Sequence, residues 1–200
     1  MASLSDFMLS KVRVELIELF FQKPEEMWYV RELTRLVGEE INAVRRELSR
    51  MQEVGMVRSE ERGNRLYYML NPSYDFFTDL LTLVAKTTGL GHEIKKNRKK
   101  LGDVHYVMFS GTFARRKPHK NTDVDILVIG SVVLPELSAL VKVEEGKRGH
   151  EINYTVMASE EFEFRKARRD PFLRDILASG RIMIIGDEDS LLESKPQLGT

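Results

Sequence analysis

Residues 107–130 read VMFSGTFARRKPHKNTDVDILVIG, two apolar runs joined by a polar, basic segment. The first run ends in Ser110-Gly111-Thr112, and the second is entered through Asp123 and Asp125. Because side chains alternate between the two faces of a strand, both carboxylates are expected on one side of it. A divalent cation between them would relieve their repulsion. The Gly-Thr pair offers free backbone N–H groups and a hydroxyl to a phosphate. The stretch therefore predicts a site for metal and nucleotide.

Composition limits the classes of protein that this chain can belong to. Its 200 residues suffice for one large domain or two small ones. Lys+Arg and Asp+Glu number 31 each, so binding to nucleic acid must come from local patches. The absence of cysteine excludes disulfides and thiolate metal sites and favours a reducing compartment. With no apolar run near the roughly 20 residues of a membrane span and no signal-peptide pattern, we expect a cytoplasmic protein without a membrane partner.

The first third of the chain alternates helical patterns with short β-like runs. A helix is expected from a cap at Ser5 through the apolar positions from Phe7 to Phe21, ended by Pro24. The expected elements that follow are a β-like run at 27–30, a helix at 31–37, a second helix at 39–54, and a hairpin at 56–70 with a Gly-Asn tip.

Three segments carry a family resemblance: VRELTRLVG at 30–38, INAVRRELSRMQEVGMV at 41–57 and GNRLYY at 63–68. In order and length they resemble the winged helix-turn-helix transcription regulators of the ArsR type, over roughly residues 5–72. The resemblance implies that the second helix of the pair enters the major groove of double-stranded DNA. By position, the residues implied to face DNA are Asn42, Arg45, Arg46, Ser49 and Arg50 on that helix, with Arg62 and Arg65 on the wing.

A simpler interpretation of these arginines is an ordinary solvated helix face. Residues 1–72 contain 11 Lys/Arg against 12 Asp/Glu, so the unit has no positive excess to attract phosphates. Binding to DNA is then expected to be weak or strongly salt-sensitive, and a dimer that spans two half-sites would strengthen it.

Residues 73–102 read as a helical connector. An apolar stripe from Phe76 to Val84 has helical spacing, and a basic stretch follows Gly89-Leu90-Gly91. The winged-helix resemblance implies that this stripe joins the Phe7–Phe21 helix in a homodimer interface. The alternative is that the stripe packs on the following domain.

The second half predicts strands at 104–109, 123–129, 151–157 and 181–185, with a helix at 134–143 and another running from 159 to 180. Residues 187–200 read as a polar, frayed tail. This β-α-β pattern, with ten residues between Gly111-Thr112 and Asp123-x-Asp125, resembles the minimal nucleotidyltransferases of the DNA polymerase beta superfamily over residues 103–186. The resemblance implies transfer of a nucleoside monophosphate from an NTP, with Mg²⁺ or Mn²⁺. The residues it implies are metal-binding and catalytic Asp123, Asp125 and Glu151, and nucleotide-binding Ser110, Gly111, Thr112, Arg115 and Arg116.

This sequence departs from the family pattern at the third carboxylate. Glu151 is the acidic residue of its strand and lies at the strand's start, while Asn153 and Thr155 occupy the next positions on the same face. A complete metal site requires Glu151 to reach the two aspartates. The alternative is that Asp123 and Asp125 are structural partners of Arg115 and Lys120.

The sequence thus predicts an α+β chain with a winged helix at 1–72, a connector at 73–102, a nucleotidyltransferase-like domain with a mixed sheet at 103–186, and a tail. The favoured function is a DNA-binding transcription regulator that also binds nucleotide and metal. An active nucleotidyltransferase acting on a protein or small molecule is the first alternative, and an antitoxin-like partner of a toxin is the second.

Overall fold

In the computed structural model, which describes residues 3–118 and 122–193, the chain divides into two units, Met1–Thr87 and Thr88–Thr200. Helices and two separate sheets alternate along the described residues, and this confirms the predicted α+β class. Lys120 lies outside the described residues, as does the end of the predicted tail from 194 onward. Among the described residues, no helix has the length and apolarity needed to cross a membrane.

The first unit places three helices and a small sheet before a fourth helix. After a short 3₁₀ helix at Leu4–Asp6, its elements are α1 (Lys11–Gln22), β1 (Trp28–Tyr29), α2 (Val30–Val37), α3 (Ile41–Glu53), β2 (Val57–Arg62), β3 (Arg65–Leu70) and α4 (Phe77–Thr87). The sheet is antiparallel with the strand order β1-β3-β2, so β1 adds to the far edge of the β2–β3 hairpin. The fully buried side chains of its core include Leu16, Ile17, Phe20, Leu33, Val44, Leu48 and Met51.

The first helix begins later than predicted. Ser5 lies inside the 3₁₀ helix rather than capping a long α-helix, and Phe7 lies in the turn after it. The cap is Ser10, whose hydroxyl accepts a hydrogen bond from the backbone N–H of Arg13 at 3.3 Å. The apolar spacing runs through this turn without interruption, so it does not show where the 3₁₀ helix ends and α1 begins. The side-chain cap at Ser10 does show it.

The second unit is built on a four-stranded mixed sheet. Its elements are α5 (Gly89–Lys96), β4 (Gly102–Ser110), α6 (Gly111–Ala114), β5 (Ile126–Val132), α7 (Leu134–Arg148), β6 (Tyr154–Met157), α8 (Ser159–Ala167), α9 (Pro171–Ala178), β7 (Arg181–Ile185) and α10 (Glu188–Leu192). The strand order is β6-β5-β4-β7, with β5 and β6 parallel and the other pairs antiparallel. The parallel pair follows from the crossover through α7.

Both faces of this sheet are covered. Met108, Leu127 and Met183 share a core with Phe162 of α8 and Leu173 of α9, and Leu191 of α10 belongs to the same core. The alternate residues of the strands face the other way and are buried too, so the second face is also covered. Helix α5 contacts both β7 and α7. Strands buried on both faces explain why the run from Ile126 to Ile129 is continuously apolar.

Four predicted boundaries in this unit are wrong. Strand β5 begins at Ile126 and β6 at Tyr154, so Asp123, Asp125 and Glu151 all precede the strands to which they were assigned. The expected long helix is two helices, because Asp170 caps a new one by accepting from the Leu173 N–H at 3.0 Å and Pro171 occupies its first turn. The expected tail begins with α10, capped by Asp187.

Candidate functional site

The outer face of α3 is the first candidate. Val44, Leu48 and Met51 are buried at helical spacing, which turns the opposite face of the helix to solvent. All five residues predicted to face DNA are exposed on that face: Asn42, Arg45, Arg46, Ser49 and Arg50.

Nearby carboxylates are held in structural roles. Glu40 caps α3 by accepting from the N–H groups of Asn42 at 2.9 Å and Ala43 at 3.0 Å. The hydrogen bond from Asn42, followed by that from Ala43, lowers the pKa of Glu40. Glu39 is bound by Lys11, with Nζ and Oε1 2.6 Å apart.

Glu47 lies on α3 but faces inward. Its side chain is 8% exposed and accepts from Arg13 Nε at 2.8 Å and from Arg50 Nη1 at 3.1 Å. Burial opposes its ionisation, but hydrogen bonds from Ser10 and Arg13 outweigh that effect, so its pKa lies below the ordinary value. Arg50 is therefore partly engaged, whereas Arg45 and Arg46 form no ion pair within the described part of the chain.

The wing carries the other two predicted contacts. Arg62 and Arg65 are exposed on either side of the hairpin tip, where Gly63 has a φ of +61°. Arg62 Nε lies 3.0 Å from Glu60 Oε1, and the Arg65 guanidinium lies 4.8 Å from the centre of the Tyr29 ring. Both side chains are partly engaged within the unit and remain accessible to a ligand.

The second candidate is a cleft of about 350 Å³ in the second unit. Hydroxyl and carboxyl groups dominate its polar lining, which consists of Ser110, Thr112, Thr122, Asp123, Asp175 and Ser179. Its apolar lining consists of Met108, Val124, Phe172 and Ile176. Three of the residues predicted from the sequence, Ser110, Thr112 and Asp123, therefore meet in one cavity.

The Gly-Thr turn is held by its own hydrogen bonds. Ser110 caps α6 by accepting from the Phe113 N–H at 3.2 Å, and the Gly111 N–H donates to the Gly180 carbonyl at 2.6 Å. A Cβ on Gly111 would lie 3.0 Å from that carbonyl oxygen, so the close approach favours glycine. The prediction that this turn offers free N–H groups is therefore wrong for Gly111.

The two aspartates have different environments. Asp125 is 1% exposed, and its Oδ2 accepts from the Asn153 N–H at 2.9 Å. Its own N–H donates to the Asn153 carbonyl and its carbonyl accepts from the Ser110 N–H, each at 2.8 Å. Asp125 thus extends the sheet beyond β5, whereas Asp123 is exposed and lines the cleft.

Glu151 does not complete a metal site here. It is exposed, precedes β6, and its carbonyl oxygen is 2.9 Å from His150 Nδ1. In residues 3–118 and 122–193, no three His, Cys, Asp or Glu side chains are grouped so that they could hold a metal ion. The described arrangement therefore does not fit the three-carboxylate site that the resemblance implies.

The two predicted phosphate-binding arginines also differ. Arg115 lies beside the Gly-Thr turn, with Nη1 3.7 Å from where a Cβ on Gly111 would be. Arg116 Nη2 lies 3.4 Å from Oε1 of buried Glu144, which also accepts from Arg148 Nε at 2.7 Å. Burial, with repulsion from Arg148, lowers the pKa of Arg116 to about 10, and Glu144 opposes that shift.

The residues of one wall of the cleft were not predicted from the sequence. Phe172, Asp175, Ile176 and Ser179 come from α9 and the residue that ends it, at the spacing that puts side chains on one helix face. That spacing is visible in the sequence. What the sequence does not show is that this face lies over the end of β4.

Comparison of the chain with protein-family models, with curated protein sequences and with solved structures gives no significant match.

Proposed function

We propose that this protein is a DNA-binding transcription regulator whose second unit binds a nucleotide. One observation carries the proposal. Arg45 and Arg46 stand exposed on α3 while Glu39, Glu40 and Glu47 are engaged with the first unit's own groups. Lys11 and Arg13 offset the charges of Glu39 and Glu47, so Arg45 and Arg46 can present a locally cationic face to phosphates although the unit has no positive excess.

The order of elements supports the same proposal. A winged helix-turn-helix needs two consecutive helices joined by a short turn, followed by a hairpin whose outer edge takes up an earlier strand. The succession α2, α3, β2, β3 with the sheet order β1-β3-β2 supports the proposal that the first unit is of this kind. In this proposal α3 enters the major groove, and Arg62 and Arg65 contact the DNA backbone.

The DNA-binding proposal is tested by fluorescence anisotropy with a labelled duplex from upstream of the protein's own gene. We expect the Arg45→Ala, Arg46→Ala double variant to weaken binding about tenfold or more at low salt. It should also reduce the slope of log K against log salt by about 1–2, because each lost phosphate contact contributes about 0.9. The double variant Lys142→Ala, Lys147→Ala, which removes two exposed positive charges on α7, is the control. Equal binding by the double variant and this control would refute the role of α3.

A nucleotide is the ligand proposed for the cleft. Its volume of about 350 Å³ lies within the range typical of small-molecule sites, roughly 300–1,000 Å³. Hydroxyls at Ser110 and Thr112 suit phosphate or ribose oxygens, and Phe172, 44% exposed, offers a ring face to a base. Among the described lining residues the charged ones are Asp123 and Asp175, so the phosphates should enter as a Mg²⁺ or Mn²⁺ complex.

Isothermal titration with ATP and GTP, with and without Mg²⁺, tests this assignment. We expect binding only with the cation, and at least about tenfold weaker binding by Thr112→Val, which keeps the side-chain shape and removes the hydroxyl. Thr87→Val in the first unit is the matched control. Binding that is indifferent to both Mg²⁺ and Thr112 would place the nucleotide elsewhere.

Nucleotidyl transfer is the second candidate, favoured because Asp123 shares the cleft with Ser110 and Thr112. Incubation with α-labelled NTPs and Mg²⁺ or Mn²⁺ tests it. Asp123→Asn should abolish labelling of any acceptor, and equal labelling by the variant and the wild type would exclude Asp123 from the chemistry.

We also propose that the first unit forms a homodimer. Phe7, Leu9 and Phe76 are 65%, 109% and 61% exposed, and both the Leu4–Asp6 turn and α1 contact α4. In the proposed dimer these three side chains would leave water, which is the driving force for the association. Sedimentation should show a dimer that Leu9→Ser, Phe76→Ser dissociates; an unchanged dimer would assign the contact to another surface.

A further inference from the structure

Three polar side chains form a relay on the surface of the second unit, and neither proposed function uses them. His105 Nδ1 lies 2.8 Å from Ser159 Oγ, and His105 Nε2 lies 3.2 Å from Asp103 Oδ2. A hydroxyl, an imidazole and a carboxylate in hydrogen-bonded series are the parts of a nucleophile activated by a base that an acid orients.

The backbone fixes two members of this relay. His105 lies where the pairing of β4 with β5 shifts register between Val104 and Tyr106, and such bulges re-aim a side chain. Opposite the bulge, Gly130 has a φ of +140°, and a Cβ there would lie 2.2 Å from the Asp103 carbonyl oxygen. Positions 103 to 105 are therefore set by tight backbone contact and not by side-chain choice alone.

The third member begins a helix without a side-chain cap. Ser159 is the first residue of α8, and Ala158 at the N-cap provides no acceptor. The N–H groups of Glu160 and Glu161 in the first turn have no acceptor within the helix. Because they follow Ser159 directly in the chain, they are the candidate donors to an oxyanion formed in an attack by Ser159 on a carbonyl. The carboxylate of Glu161 is bound by Arg165 at 2.8 Å, which limits its opposition to that charge.

We propose that Ser159, His105 and Asp103 form a second, hydrolytic site that accepts small, uncharged activated esters. Ser159 Oγ bonds to the acyl carbon while its proton passes to His105 Nδ1, and the carbonyl electron pair moves to oxygen. The tetrahedral intermediate then breaks the bond to the leaving alcohol, which takes that proton. In the second half, water gives a proton to His105 and its oxygen bonds to the acyl carbon. The bond from that carbon to Ser159 Oγ then breaks, the acid leaves, and Oγ recovers its proton from His105. The negative charge of Asp103, and that of exposed Glu160 next to Ser159 in the chain, disfavour anionic esters.

The exposure of the site suits small, activated esters. The His105 side chain is 47% exposed and that of Asp103 is 78% exposed, so the relay opens directly to solvent. An open site supplies little binding energy from remote parts of a substrate. Reactive esters with good leaving groups are therefore the substrates that it can turn over.

Hydrolysis of p-nitrophenyl acetate and labelling by an alkyl fluorophosphonate test the proposal on the full chain. The fluorophosphonate should phosphonylate Ser159 with loss of fluoride, located by peptide mass spectrometry. Both activities should fall about tenfold or more in Ser159→Ala and His105→Gln, in line with loss of a general base. Glutamine keeps a polar side chain of similar size but has no basic nitrogen, so the His105→Gln variant tests for base chemistry.

His150→Gln, a second exposed histidine, is the control for hydrolysis by surface imidazole and should retain the wild-type rate. Far-UV circular dichroism verifies the fold of each variant. Wild-type rates in Ser159→Ala, phosphonylation at another serine, or equal labelling of His105→Gln and the wild type would each overturn the proposal.

Discussion

Replacing Glu144 with glutamine should strongly destabilise the second unit. The Glu144 side chain is 4% exposed and accepts from Arg148 Nε at 2.7 Å, and Arg148 is itself 8% exposed. The Arg148 guanidinium also lies 3.8 Å from the centre of the Phe113 ring, and its Nη1 donates to the Phe113 carbonyl at 3.1 Å. Glu144→Gln would leave Arg148, together with neighbouring Arg116, without the buried negative charge.

The magnitude follows from that uncompensated charge. Removing one partner of a buried ion pair costs about 3–5 kcal/mol, because the remaining ion stays desolvated. The partial exposure of Arg116, 26% for its side chain, places the expected loss near the lower end, about 3 kcal/mol. The variant should also destabilise the packing of α6, because Arg148 of α7 contacts both the ring and the carbonyl of Phe113 in that helix.

Urea unfolding followed by two signals measures this loss. Trp28, the one tryptophan of the sequence, reports the first unit, and far-UV circular dichroism reports both units. Glu136→Gln on the same helix is the matched control, because Glu136 is exposed and its loss should cost less than about 1 kcal/mol. If Glu144→Gln lowers the free energy of unfolding no more than Glu136→Gln does, the buried cluster does not hold this unit together.

Two further predictions concern one residue in each unit. Gly130→Ala should lower the free energy of unfolding by more than about 2 kcal/mol, because the position combines positive φ with backbone contact at 2.2 Å; Gly146→Ala, with nothing within 4 Å of its Cβ, should be neutral or stabilising. Glu47→Gln should cost about 1.5–3 kcal/mol at neutral pH, measured by Trp28 fluorescence. The pKa of Glu47 in the folded protein lies below its ordinary 4.5. The stabilisation by Glu47 is therefore present above pH 4.5 and should be lost as the pH falls through the lower pKa of the folded state. A difference between variant and wild type that is constant from pH 7 to 3 would contradict this.

Much of the secondary structure can be predicted from the spacing of apolar residues and from the glycines that end helices. The helices α2 and α3 and the hairpin β2–β3 occur within two residues of their predicted limits, and Gly38 ends α2 with a φ of +70°. The misplaced boundaries share a cause, which is that polar side chains bonded to backbone override the apolar pattern. Ser10 begins α1, and Asp170 divides α8 from α9, through hydrogen bonds that periodicity does not reveal.

The early start predicted for β5 has the same origin. Asp125 has the alternation of a strand residue and is bonded to both neighbouring strands, yet the regular ladder begins one residue later. Its carboxylate accepts from the Asn153 N–H, so an acid at this position serves the sheet whether or not it serves a ligand. An Asp-x-Asp pattern cannot by itself separate these two roles.

The two candidate sites differ in how much of each a sequence can reveal, and the difference is geometric. The α3 face is one helix surface, so a spacing of three and four residues is enough to bring Arg45, Arg46 and Ser49 together. The cleft needs three elements to meet: the end of β4, the loop before β5, and α9. Nothing local to Asp175 or Ser179 encodes that meeting, since it depends on Asp170 turning the chain so that Leu173 enters the core on one face of the sheet. A site whose residues share one helix face can therefore be predicted from one sequence. A site whose residues come from separate elements can be recognised only when the packing is known.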